Sequence, residues 1–147
     1  MKRSINIISL KLVKDKSIEY KFSSAKEPRK VVELVKGVIG NTDREYVVVL
    51  NLNARLEPNS IEICGIGSLS QAVIHPREIF KSGIISNANS IVLVHTHPSG
   101  CVDPSPEDFL ITKRIKSAGE LLGIPLMDHL IIGDAEYFSF AEHGELH

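Results

Sequence analysis

The sequence predicts an α/β fold built as a mixed, mostly antiparallel sheet with flanking helices, and three observations point that way. β-branched apolar runs, EYVVVLNL at 45–52 and IVLVHTH at 91–97, read as central strands buried on both faces. Stripes of apolar residues at helical spacing stand between such runs, and the two kinds of pattern alternate along the 147 residues.

In order, INIISLKLV alternates apolar Ile5, Ile7 and, less strictly, Leu10 and Leu12 with polar residues, and SIEYKF follows after a charged KDK turn. That pattern predicts a β-hairpin. In EPRKVVELVKGVIGN, Pro28 suits a first helical turn, Val31, Val32, Leu34, Val35, Val38 and Ile39 form the apolar stripe, and Gly40 with Asn41 ends it. EYVVVLNL is the first central strand, and after a turn at LEPNS the segment SIEICGIGSL is its antiparallel neighbour. HPREIFKSGIISNA predicts a short helix begun near Pro76 and closed by a polar turn. IVLVHTH is a second apolar strand that turns polar at its end. A helix over 106–122 follows from Ile111, Ile115, Ala118 and Leu122, with Gly123 as its stop, and MDHLIIG and YFSF complete the pattern as strands. The expected order is β-β-α-β-β-α-β-α-β-β. No low-complexity tract, repeat or linker interrupts it, so 1–147 reads as a single domain, with 1–40 an N-terminal hairpin and helix belonging to it.

Composition narrows the function. No stretch approaches the roughly 20 apolar residues of a membrane span. Ser4, Asn6, Ser9, Lys11 and Lys14 break up any signal-peptide core, so a cytoplasmic protein is expected. Two cysteines, Cys64 and Cys101, make neither a disulfide framework nor a C-x-x-C pair. Seventeen Lys and Arg against eighteen Asp and Glu leave a formal charge of −1, which gives little support to autonomous DNA binding, although folding could gather Lys113, Arg114 and Lys116 on one surface.

The chemistry concentrates in HTHPSGCVDPSPED at 95–108. If IVLVHTH is a strand, His95 and His97 point to one side and Thr96 away. Pro98 stops the strand, Ser99 and Gly100 turn the chain, and VDPSP leads into a helix with Ser105 as N-cap, Pro106 as first residue and Asp108 as a first-turn carboxylate. Two imidazoles and a carboxylate with a fourth position open are the usual arrangement of a catalytic zinc site, in which bound zinc brings the pKa of water to about 7. Each part also has a plain reading: a strand-end histidine usually serves a surface or hydrogen-bonding role, and Ser105 with Asp108 is simply a good helix start. Together, H-x-H-x(7)-S-x-x-D arises by chance about once in a thousand chains of this composition.

That pattern resembles the JAMM metal motif of the MPN superfamily, a cytidine-deaminase-like architecture. The string LVHTHPSGCVDPSPEDFLITKRIKSAGELLGIPLMDHLIIG, with HPREIF before it and YFSFAE after it, closely resembles the bacterial RadC family over roughly 40–142. The N-terminal hairpin and helix resemble the short, plasmid- or phage-type RadC-like proteins, without the helix-hairpin-helix region of the long forms. The resemblance implies that His95, His97 and Asp108 hold one zinc ion per chain. It further implies that Ser105 stabilises an oxyanion and that Glu45, in DREYVVVL, is the general base and then acid, with Glu78 in HPREIF the main rival. Thr96 stands where asparagine is common in such proteins and Cys101 where an acidic residue is common. Cys101 lies four residues after His97, so it is either a stray fourth ligand or an ordinary loop cysteine. Glu107 is expected in solvent, about 100° around the helix from Asp108. His129 reads as a structural histidine more than a ligand, His75 as a turn residue, and His143 and His147 as parts of a polar tail.

The leading expectation is a JAMM-type zinc hydrolase cleaving a peptide or isopeptide amide. The alternative is a non-catalytic, metal-stabilised binding module associated with DNA repair or mobile elements. A zinc deaminase is disfavoured because H-x-E followed by P-C-x-x-C is missing, and H-E-x-x-H is missing too. Sheet edges leave room for a homodimer.

Overall fold

A computed structural model describes residues 1–40, 43–67 and 74–146. Its elements are α1 (Pro28–Ile39), β1 (Tyr46–Leu52), β2 (Pro58–Ile66), α2 (Pro76–Ile85), β3 (Ser90–Thr96), α3 (Pro106–Leu122), β4 (Leu126–Ile132) and β5 (Tyr137–Ser139). All three helices begin on a proline, whose fixed φ and missing N–H suit the first turn. Gly40, at φ 67°, and Gly123, at φ 71°, end α1 and α3 in backbone conformations that side chains resist.

The five strands lie in the order β2-β1-β3-β4-β5. Every pairing is antiparallel except β3 with β4, which run parallel because α3 crosses over between them. This is the mixed, mostly antiparallel sheet that the strand patterns predict. β3, buried along its whole length, is central.

Side-chain alternation divides the sheet into two apolar faces. Val48, Leu50, Val92, Val94, Leu130 and Ile132 meet Val31, Val32 and Val35 of α1 on one side. On the other, Val47, Val49, Ile91, Leu93 and Leu126 meet Ile79 and Phe80 of α2 and Ile111 and Ile115 of α3. The functional residues lie on this second face, at the end of the sheet where β3 finishes.

One expectation fails: the N-terminal hairpin does not form. Residues 1–22 contain no strand and no turn, and every residue of 1–21 is exposed. An isolated two-stranded hairpin is marginal in water and needs a surface for its apolar side. Here the helices already cover both faces of the central strands. Among the described residues, the chain meets the body where Tyr20 Oη donates to Pro58 O at 3.3 Å, Phe22 packs on the α1 side, and Ala25 N–H donates to Leu56 O at 2.8 Å. The remaining eight elements follow the expected order. Asn41 of the α1 stop, Ser68 and Leu69 of the expected second strand, and His147 lie outside the described residues.

Candidate metal centre

The site is assembled by the end of β3 and the start of α3. Val47 pairs with His95 across β1 and β3, so alternation puts His95 on the α2/α3 face, and His97, two residues on, follows it. Pro98 ends the ladder after His97 N–H donates to Ile132 O at 2.8 Å. Gly100, at φ 82°, then allows the reversal, its N–H donating to His97 O at 3.0 Å. The returning loop reaches Ser105, which caps α3: Ser105 Oγ accepts from Asp108 N–H at 3.2 Å, and Ser105 N–H donates to Asp108 Oδ2 at 2.8 Å. This reciprocal cap fixes the rotamer of Asp108 and turns its carboxylate inward.

Three donor groups converge as a result. His95 Nε2 and His97 Nε2 are 2.9 Å apart, His95 Nε2 lies 3.3 Å from Asp108 Oδ1, and His97 Nε2 lies 3.4 Å from Asp108 Oδ2. One donor atom from each residue falls within 4.8 Å of the others. Among the described residues this is the group able to hold a metal ion.

Hydrogen bonding behind the site decides which atoms face inward. His97 Nδ1 lies 2.7 Å from the carbonyl of Cys101, so Nδ1 carries the proton and Nε2 presents its lone pair. Behind His95 the chain of bonds is longer. Thr112 Oγ1–H donates to Asp108 O at 2.6 Å, so Thr112 Oγ1 accepts from His129 Nδ1–H at 2.5 Å. His129 Nε2 therefore accepts from His95 Nδ1–H at 2.7 Å, which leaves His95 Nε2 as a lone-pair donor. With these tautomers, two imidazole lone pairs and a carboxylate oxygen face one another, a donor set that could hold a divalent metal ion.

Electrostatics follow the same logic. Burial drives the His95 imidazole toward its neutral form against the pull of Asp108, and burial drives His129 further still. The hydrogen bond to Asp108 outweighs burial at His97 and raises it. Burial pushes Asp108 up, but its bonds to His95 and His97 and from Ser105 N–H hold it well below the usual carboxylate range. The partners of Asp108 thus differ: burial favours the neutral form of the wholly buried His95, while the hydrogen bond to Asp108 favours the protonated form of the more open His97.

The other expected residues fall as follows. Glu45 immediately precedes β1, and continued alternation from Val47 puts it on the face of His95 and His97. Its negative charge raises both imidazoles. Thr96 ties the two strand ends together, accepting from Tyr46 N–H at 2.8 Å and donating to Arg44 O at 3.2 Å. Glu78 is engaged at the exposed start of α2 by Lys81 Nζ at 2.9 Å and Arg77 Nε at 3.6 Å, which is the role of a helix-start carboxylate. Glu107 is exposed. The Cys101 thiol turns outward to Asp103 Oδ2 at 3.5 Å, so this residue serves the site through its carbonyl. His75 caps α2 by accepting from Arg77 N–H at 3.1 Å, and His143 stacks on Phe138 with ring centroids 4.1 Å apart.

Sequence reasoning missed Thr112 and the partner of His129. Thr112 carried a signal, since it lies four residues after Asp108 and so shares its helix face. The contact of His129 with His95 depends on parallel pairing, with Leu93 opposite His129. No local pattern encodes that register.

A family model for RadC-like JAB domains matches residues 25–145. The chain is 46% identical over 119 residues to a UPF0758 protein of Rubrobacter xylanophilus, covering 81% of this chain and 52% of that protein. It is 43% identical over 131 residues to a UPF0758 protein of Chlorobaculum parvum, covering 89% and 58%. The chain therefore spans about half the length of the curated relatives it matches.

Proposed function

From the premise that the chain belongs to the RadC-like JAB domain family, we propose that it is a zinc-dependent hydrolase of the JAMM type, cleaving a peptide or isopeptide amide. The observation that carries this reading is the convergence of His95 Nε2, His97 Nε2 and Asp108 on one point, with both imidazole tautomers set from behind. Zinc supplies Lewis acidity when bound, polarising an amide carbonyl and bringing the pKa of water to about 7.

The chain's own residues would do the rest. Glu45, on the same face as the histidines, is suited to accept a proton from the attacking water and return it to the departing amide nitrogen. Ser105 Oγ already accepts from Asp108 N–H, so its hydroxyl proton is left to donate to a carbonyl oxygen as that oxygen gains charge. His95, His97 and Asp108 would hold the zinc, and His129 would keep the His95 imidazole in place.

The test is a pair of measurements on the whole chain: zinc content after loading and dialysis, and hydrolysis of a panel of peptide and isopeptide substrates. Glu45→Gln is expected to keep its zinc and lose turnover by about 10²–10⁴-fold. Unchanged hydrolysis in that variant removes Glu45 from the mechanism. Zinc retained with no hydrolysis of any substrate favours the metal-stabilised binding module, for which DNA affinity against salt is the next measurement.

A further inference from the structure

The N-terminal segment is the largest feature that the metal site leaves unexplained. Ile5, Ile7, Ile8, Leu10, Leu12 and Val13 are between 54% and 101% exposed, a run of apolar surface of the kind that marks interaction sites. Within it, Ile8, Leu10 and Leu12 alternate strictly with Ser9 and Lys11, which is strand patterning without a strand.

We infer that this arm is a donor strand for a second copy of the same chain, adding to the free edge of the partner's β2 while the partner's arm does the same in return. Three observations select that occupant. The first is charge. Residues 1–21 carry six Lys and Arg against two carboxylates, whereas the rest of the chain carries eleven against sixteen. A basic arm is thus attached to an acidic body, and the pair is complementary between copies.

The second is the shape of the receptor. Among the described residues β2 is an edge strand paired only with β1, and at nine residues it matches the nine of INIISLKLV. The opposite edge, β5, has three residues and is too short to receive such a strand. The third is an apolar surface at the receiving edge. Ile61 and Ile63 stand opposite Leu50 and Val48 on the α1 face, and Ile63 remains 43% exposed where that face reaches the edge. An added strand would carry Ile8, Leu10 and Leu12 into line with this row and supply backbone partners to an otherwise open ladder. The arm leaves the body beside β2, through Tyr20 on Pro58 O, so two copies related by a twofold axis near their β2 edges can exchange arms reciprocally.

The experiment is sedimentation of the full chain across micromolar concentrations, combined with hydrogen exchange of the arm amides and repeated on Leu10→Asp and Ile63→Asp. The intact chain is expected to dimerise, with the amides of 5–13 protected in proportion to dimer. Each variant, one in the arm and one in the receptor, is expected to weaken dimerisation at least about tenfold, to leave the arm unprotected and to keep the metal. An intact chain that stays monomeric, whether free or captured by anionic vesicles or DNA, overturns the inference. So does a dimer whose arm amides exchange freely, or one that survives Leu10→Asp. Hydrogen exchange on the intact protein decides the matter even where a variant fails to fold.

Discussion

β3 and the N-terminal arm are both rich in strand-forming residues and end in opposite environments. SIVLVHT and INIISLKLV are both β-branched or leucine-rich strand sequences, yet every residue of the first is buried and every residue of the second is exposed. What separates them is the supply of neighbours. β3 sits between β1 and β4, with α1 on one face and α2 and α3 on the other, so its ladder bonds and both its faces are satisfied within the chain. The arm has no such company. Apolar alternation therefore states that a segment suits a sheet, and it does not state which sheet.

The comparison breaks first at the candidate metal site, because the rigidity of β3 is used there. Asp108→Ala removes the inward carboxylate and the acceptor of Ser105 N–H together, and it is expected to abolish zinc retention after dialysis, read as metal per chain. Full retention would mean that the two histidines suffice and that Asp108 is only a helix cap. Next in size is the packing that holds the strand. Leu93 is wholly buried against the α2/α3 face, and Leu93→Ala is expected to lower unfolding free energy by about 2–5 kcal/mol in denaturant titrations. A loss below about 1 kcal/mol would show that β3 is not under the constraint its burial implies.

How much of this was legible in the sequence follows the same division. The two central strands, the three proline-started helices and the strand-to-helix junction carrying His95, His97 and Asp108 could be read because local pattern and tertiary environment agree there. The hairpin expected over 5–22 does not form, because alternation reports an affinity for sheets and not the presence of a partner in the same chain. Glu45 could be placed only through the resemblance, since about fifty residues separate it from the histidines and its face is set by the register of β1 on β3. His129 is expected to be structural more than a ligand, and it sits behind His95, bonded to it and to Thr112. Its contact with His95 depends on the parallel pairing of β3 with β4.

His129 sharpens the comparison within the buried region, where a neighbour contributes orientation as well as area. His129→Ala removes the acceptor for His95 Nδ1–H and is expected to weaken zinc binding about 10–100-fold, measured by competition with a chromophoric chelator. The ring also stacks on Phe140, with centroids 4.7 Å apart, so stability falls as well and does not discriminate between roles. His129→Gln, whose amide oxygen can still accept a hydrogen bond, should recover part of the affinity if orientation is what matters. Equal affinity in the intact protein and both variants would reduce His129 to a packing residue.

The smallest effect belongs to the arm, and its smallness is the point. Leu10 and Leu93 are the same residue in similar strand-like sequence, so truncating each to alanine removes the same atoms. Leu10 is 72% exposed and loses almost nothing that folding of its own chain had gained, so Leu10→Ala should change the unfolding free energy of dilute, monomeric protein by less than about 0.5 kcal/mol. Measured at rising protein concentration, the same substitution should begin to cost stability, because unfolding then also breaks the contact between copies. A penalty that is large at every concentration would mean that the arm packs on its own body in solution. It would also end the contrast with β3, since both segments would then owe their order to the same chain.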